Sequence, residues 1–268
     1  MKYGVELVED IRQRKVEKGR LCFWWLGQIS FALKTHRKTI YLDPYLNPSK
    51  SRLCPPLMKP DELVNADIVT GSHDHSDHID HWALPGIMKA SPKAVLVASE
   101  AHAGTLAKLG LDKSRLRLLD DGRALDEDGV KITAVKAAHE FFDEEKFGGR
   151  YPFLSFVIET DGVTVFHSGD TCVYEGQASS LKKWSFDLAF LPINGRDAKR
   201  LGSGCIGNMT YQEAADLAGA VRPKVTVPGH YGMFAKNTED PSLFTDYMAV
   251  KYPGLKTVLP VIGTGIEI

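Results

Sequence analysis

The stretch SHDHSDHID, Ser72 to Asp80, holds three of the chain's nine histidines together with three aspartates. In an extended segment residues two apart point the same way, so His73 and His75 can present both imidazoles to one ion. Asp77 and His78 follow after a turn, with Ser76 placed to cap a following helix. Neutral imidazole and carboxylate are ligands for zinc, and equally for manganese or iron. Without a cation, groups crowded this closely would repel one another and resist burial. A solvated polar loop is the competing account, but it does not explain why the cluster directly follows the apolar run ADIVTG.

One cluster supplies four side chains at most, and two ions need more. His139 ends the run VKITAVKAAH, Asp170 ends GVTVFHSGD, and His230 ends KVTVPGH. All three stand just past the carboxyl end of an expected strand, where sites gather in layered α/β proteins. The remaining histidines read otherwise. His36 lies in a polar turn, His102 starts a helix, His167 belongs to a strand, and His81 is a possible neighbour of the cluster.

Short β-like runs that end in Gly, Pro, Asn or Asp would position these groups. RLCFWWLG and ISFALKT form an expected hairpin, and KTIYLDPYL a third strand stopped at Pro44. ADIVTG has the make-up of a strand covered on both faces, followed by KAVLVASE and a helical AHAGTLAKLG ended by Gly110. GVKITAVKAAH alternates as a half-buried strand does. FLSFVIETDGVTVFHSGD turns at Asp161-Gly162, and DLAFLPI, KVTVPGH and KTVLPVIGTGIEI complete the set. Val5 to Lys18 reads as a polar helix. In MTYQEAADLAGAV, Thr210 and Glu213 have capping-box spacing, and Pro223 stops the helix. The aromatic CFWWLG is expected in the core. Sheets covered by helices follow, in a single domain over 1–268 with residues 1–19 as a helical extension and a break between two halves near Phe147–Pro152.

The chain has 268 residues, of which 43% are apolar and 25% charged, an ordinary globular profile. Its net charge of −1 gives no broad field for nucleic acid. No apolar run reaches the roughly 20 residues of a membrane span, no basic amphipathic helix suggests a membrane surface, and the charged N-terminus lacks a secretory pattern, so a cytoplasmic location is expected. Cys22, Cys54, Cys172 and Cys205 are widely spaced, without metal-binding pairs, and read as free, mostly buried thiols.

SHDHSDHID resembles the H-x-H-x-D-H-x-D motif of the metallo-β-lactamase superfamily. YLDP with Asp43, then His139, HSGD with Asp170 and PGH with His230 are similar to that superfamily's other motifs, in the same order, over nearly the whole chain from Arg20. CFWWLGQISFALKT, HDHSDHID, FHSGDT and NMTYQEAADLAGAVRPKVTVPGHY look most like the L-ascorbate-6-phosphate lactonase group. The resemblance implies an αββα four-layer sandwich, an α/β class fold, and two divalent ions, zinc or manganese. It implies that His73, His75 and His139 hold the first ion, that Asp77, His78 and His230 hold the second, and that Asp170 bridges them. Asp43 is implied to brace the histidine loop without being a ligand. Two features depart from the lactonase group: a histidine at 139, where that group tends to carry aspartate, and a shorter stretch between LNPSK and ADIVTG.

Two metals about 3.5–4 Å apart lower the pKa of a shared water toward ~7, which creates hydroxide as the nucleophile. Asp77 would orient it or accept its proton. No G-x-S-x-G elbow and no phosphate-cradling loop competes, and GSGCIGN reads as a mobile loop. Lactone opening of a phosphorylated sugar acid is the first expectation. A phosphodiesterase of the same superfamily is the alternative, and a non-catalytic metal-binding protein with closed-off ions a further one. The expected partners are a small anionic substrate and, in an undetermined homo-oligomer, further copies of the chain. Arg196 or Arg200 would pair with the substrate's anionic group, with Asn194 and Tyr231 as further contacts.

Overall fold

The computed structural model describes residues 1–268. The strands β1 (Cys22–Gly27), β2 (Ser30–Lys34), β3 (Thr39–Leu42), β4 (Ile68–Gly71), β5 (Val95–Ser99) and β6 (Leu116–Leu119) belong to one sheet. The strands β7 (Ala124–Asp126), β8 (Val130–Lys136), β9 (Leu154–Thr160), β10 (Val163–His167), β11 (Leu188–Pro192), β12 (Val225–Gly229) and β13 (Lys256–Thr257) form the other, and β14 (Gly265–Glu267) returns to the first. The sheet orders are β14-β1-β2-β3-β4-β5-β6 and β13-β12-β11-β10-β9-β8-β7. The expected final strand KTVLPVIGTGIEI is therefore split between the two sheets. Pro260 has no ladder donor and Gly263 turns at φ +66, so the run breaks between them. The chain crosses from one sheet to the other at 120–123, earlier than the break expected at Phe147–Pro152, which falls inside the second sheet.

Period-two alternation decides which faces meet. Phe23 and Trp25 of β1 join a buried cluster that includes Phe31, Val97, Phe156 and Phe190, between the sheets. Cys22, Trp24 and Leu26 point the other way, into a cluster with α1 (Gly4–Gln13), α2 (Leu84–Ala90) and α3 (Ala103–Lys108). Phe31 stacks on Phe190 with centroids 3.8 Å apart, tying one sheet to the other. The other sheet is covered by α6 (Tyr211–Val221) and α7 (Pro241–Lys251), with the short α4 (Gln177–Leu181) beside α6, whereas α5 (Ala198–Gly202) buries none of its residues. The layers run helix, sheet, sheet, helix, the expected αββα sandwich.

Local signals hold in detail. Thr210 and Glu213 form the capping box reciprocally, at 2.9 and 3.3 Å. Asp161 and Gly162 both take positive φ, as a tight hairpin turn requires. The first helix ends at Gln13 and not at Lys18: Arg14 leaves the helical region at ψ 117, and Val16 reaches the core from outside the helix, beside the helix's own buried Leu7, Val8 and Ile11. Cys22 and Cys172 are buried, whereas Cys54 and Cys205 are half-exposed, so burial holds for only two of the four thiols. No helix is long and apolar enough to cross a membrane.

Candidate metal centre

Every element that reaches the site does so with its C-terminal end. Asp43 follows β3, the histidine loop follows β4, His139 lies beyond β8, Asp170 beyond β10 and His230 directly after β12. The loop itself is a tight turn, with His78 and Ile79 donating from backbone N–H to the His75 carbonyl at 3.0 and 2.9 Å. Ser76 is exposed and caps nothing. Asp80 does that work, accepting from Trp82 and Ala83 N–H at 3.1 Å and from Leu46 and Asn47 N–H at 2.9 and 2.8 Å. A carboxylate with four backbone donors locks the loop to the segment after β3.

The structure brings His73, His75, Asp77, His78, His139, Asp170 and His230 together. Their potential ligand atoms fall into three groups, each within 4.8 Å: His73, His75 and His139; Asp77, His78 and His230; and His73, His78 and Asp170. The first two groups match the two ligand sets implied from sequence. Asp170 Oδ2 lies 3.2 Å from His230 Nε2, 3.4 Å from His78 Nε2 and 3.7 Å from His139 Nε2, between the two groups. Asp77 stands 3.6 Å from His230 Nε2 and 3.8 Å from His78 Nε2.

Surrounding groups hold these rings by their outer nitrogens. Fully buried Asp43 accepts from His78 Nδ1 at 2.8 Å, from Ser72 Oγ at 2.5 Å and from Thr70 Oγ1 at 2.9 Å. His139 Nδ1 faces the Gly207 carbonyl at 3.2 Å. Such contacts select the tautomer that turns the other nitrogen inward. Gly169, at φ +56, lets the strand end approach the loop: a Cβ there would meet Ser72 Cβ and Oγ at 2.8 Å.

The charges follow from burial and proximity. Burial, reinforced by His78 and His75, pushes His73 well below the ordinary imidazole value. Burial likewise pushes His139 down to about 4, so both rings stand neutral with lone pairs to give. Burial also opposes charge on His78 and His230, but Asp170 and Asp77 outweigh it and hold both above the ordinary value. Burial alone would raise Asp170, yet His230 and His78 set it well below the usual carboxylate range. Imidazolium protons thus sit where a cation would balance the same carboxylates.

A cleft of about 380 Å³ opens onto His75, Asp77, His139, Asp170 and His230. The four residues expected to contact substrate do not line it. Arg196 spends its guanidinium on Glu213 at 2.5 and 2.6 Å. Arg200 is paired with Asp197 and Glu239. Asn194 is fully buried, and Tyr231 packs on Trp25 in the core with centroids 4.6 Å apart. A charged sequence had suggested free cations, but Asp197 neutralises Arg200 from three residues away, and Glu213 and Glu239 reach Arg196 and Arg200 from farther along the chain. The cleft is walled instead by Cys205, Ile206, Phe234, Lys236 and Asn237.

Sequence reasoning also passed over Gln28 and Phe153. Gln28 Nε2 lies 3.2 Å from Asp77 Oδ2 and 3.3 Å from His230 Nδ1. Its position just past β1 is the same signal that marked His139 and His230. Phe153 sets its ring edge-on to His73 and His139, with centroids 5.4 Å away in both cases. His81 pairs with Asp74 on the solvent side, His167 Nε2 faces the Ile29 carbonyl at 2.8 Å, and His102 Nε2 the Pro152 carbonyl at 2.7 Å. His36 is exposed.

Known proteins share this arrangement of chain. Residues 23–230 match the beta-lactamase superfamily domain. A UPF0173 metal-dependent hydrolase of Pelotomaculum thermopropionicum is 31% identical, over 82% of this chain and 88% of that protein. One of Methanosarcina mazei is 25% identical over 91% and 97%. In three dimensions the chain is similar to Igni18, a metallo hydrolase from Ignicoccus hospitalis, with a TM-score of 0.72, 21% identity and coverage of 93% and 98%. Seven convergent histidine and aspartate side chains, the αββα layers and these relatives agree: the chain belongs to the metallo-β-lactamase superfamily, among its UPF0173 metal-dependent hydrolases.

Proposed function

We propose that this protein opens the ring of a lactone, on an anionic sugar-acid type of substrate, with two divalent ions held by His73, His75 and His139 and by Asp77, His78 and His230, and with Asp170 shared. The observation that carries the proposal is the position of Asp170 Oδ2 between the two donor groups, at the floor of an open cleft. The residues fit such ions on their own chemistry. His78 Nε2 and Asp170 Oδ1 are buried and have no hydrogen-bond partner within the protein, a state that costs about 1–3 kcal/mol per atom or more when charged. Imidazole and carboxylate suit zinc and manganese alike.

When bound, the ion pair supplies an activated water and a Lewis acid for the scissile carbonyl. The chain's own residues do the rest. Asp77, on the rim of the cleft, is the group placed to accept a proton from the attacking water, and Gln28 Nε2 steadies its Oδ2 at 3.2 Å. Asp43 fixes the His78 ring through Nδ1. The open cleft favours catalysis over a closed structural site, whose ligands would leave no position free. Four unpaired thiols suit a reducing cytoplasm.

The test is a hydrolysis panel of lactones and phosphodiesters on metal-stripped protein reloaded with zinc or manganese. Lactone turnover, abolished in His75→Ala and Asp170→Ala, is expected. Turnover of phosphodiesters without lactones would give the site to phosphodiester cleavage, and activity surviving both substitutions would remove it from these residues altogether.

A further inference from the structure

Behind the cleft runs a chain of three side-chain amides. Asn208 Nδ2 donates to Asn194 Oδ1 at 3.1 Å, and Asn194 Nδ2 donates to Asn237 Oδ1 at 2.7 Å. Asn208 and Asn194 are fully buried, whereas Asn237 is half-exposed and lines the cleft. Because Asn237 uses its carbonyl on Asn194, its Nδ2 is left with no protein acceptor. The direction of the relay is physically favoured. As it stands, the unpartnered buried atom at the far end is the Asn208 carbonyl, and an under-satisfied carbonyl is tolerated better than an orphaned N–H. A donor held in this way costs little further ordering when a ligand arrives.

Lys236 precedes Asn237 and also lines the cleft. It is exposed and makes no ion pair, whereas the nearby cations Arg196 and Arg200 are both paired with acids. The other charged groups on the cleft, Asp77 and Asp170, are engaged with His230 and His78. Among the side chains of the cleft, Lys236 is therefore the one cation that no acid neutralises, a point charge suited to phosphate or carboxylate.

We infer that Asn237, oriented by Asn194 and Asn208, is the donor that positions substrate in the cleft, and that Lys236 beside it binds an anionic group on that substrate. The inference rests on the hydrolase reading above and adds the residues that select an anionic lactone. Asn237 touches the substrate; Asn194 acts only through Asn237 and is a positioning residue.

The test uses the metal-loaded, full-length protein and two probes, glucono-δ-lactone and its 6-phosphate, for kcat and KM. Calorimetric titration with 6-phosphogluconate, the ring-opened acid, adds a readout that needs no turnover. Lys236→Ala is expected to shrink the preference for the phosphorylated over the neutral lactone about tenfold and to weaken binding of the acid by a similar factor, as loss of ~1.4 kcal/mol does. Asn237→Ala is expected to raise KM for both lactones about tenfold. Asn194→Asp replaces the donor facing Asn237 with an acceptor, so the Asn237 amide reverses and shows its carbonyl to the cleft; KM should rise as in Asn237→Ala, with kcat changed less. Unchanged KM values and acid affinity in Lys236→Ala and Asn237→Ala would overturn the inference while leaving lactone opening in place. Failure of the parent protein to bind the acid would also overturn it. Acid binding that depends on both residues, in a protein that turns over no lactone, would uphold the inference and remove the lactone reading.

Discussion

Asp43 and His78 form a fully enclosed pair, with the carboxylate Oδ2 2.8 Å from the ring Nδ1 and neither side chain exposed to solvent. The contact commits Nδ1 as donor and turns Nε2 toward Asp170 and Asp77. It also explains why an acid 35 positions upstream of a histidine belongs to the same site.

Asp43→Ala should therefore weaken metal binding about 10–100-fold, the usual cost of losing the group that orients a ligand imidazole. Competition with a chromophoric chelator measures it. An affinity equal to that of the parent protein would show that the ring orients without help.

Removal of the metal should lower stability as well as activity, because bound ions balance a carboxylate set that is otherwise balanced only by imidazolium protons. At free metal ~1,000 times the dissociation constant, the linkage is worth about 4 kcal/mol. Thermal unfolding before and after chelation, and after return of zinc or manganese, checks this. A midpoint indifferent to chelation would argue against ions at the site.

Gly169→Ala should be costly for two reasons that add: a φ of +56, and a Cβ 2.8 Å from Ser72 and 3.0 Å from the Leu154 carbonyl. Left-handed strain and overpacking together come to roughly 2–4 kcal/mol. Denaturant unfolding gives the cost. Metal affinity should fall alongside it, since relief of the clash moves Asp170 away from the histidine loop.

Asp161 offers a pH test remote from the site. Burial would raise its pKa, but the Arg37 side chain at 2.8 Å, Thr35 Oγ1 at 3.0 Å and the Arg37 backbone N–H at 3.2 Å together lower it. A carboxylate with a depressed folded pKa contributes its stabilisation in full above the unfolded value of ~3.9 and loses it as pH falls through the folded value. Asp161→Asn should thus be less stable than the parent protein at pH 7, by about 1 kcal/mol because Arg37 is half in solvent. The difference should shrink steadily below pH ~4. A gap that is constant with pH would assign the effect to hydrogen bonding alone.

Strand and helix patterning in this protein is local, and so it was legible. The alternation in β1, the capping box of Thr210 and Glu213, and the Asp161-Gly162 turn depend on neighbours within a few residues. The metal-centre candidates were legible for a related reason: His73, His75, Asp77 and His78 crowd into one loop, and His139, Asp170 and His230 each end an apolar run. What tertiary structure alone decided is the pairing of groups distant in the chain. It placed Gln28 and Phe153 at the site, split the last predicted strand between two sheets, and turned Arg196 and Arg200 from expected substrate contacts into partners of Glu213 and Glu239. Beyond an i,i+3 pair such as Asp197 and Arg200, a charged side chain's sequence neighbours do not reveal which opposite charge will neutralise it. That depends on which loops the two sheets bring face to face, and the same packing left Lys236 and Asn237 on the cleft.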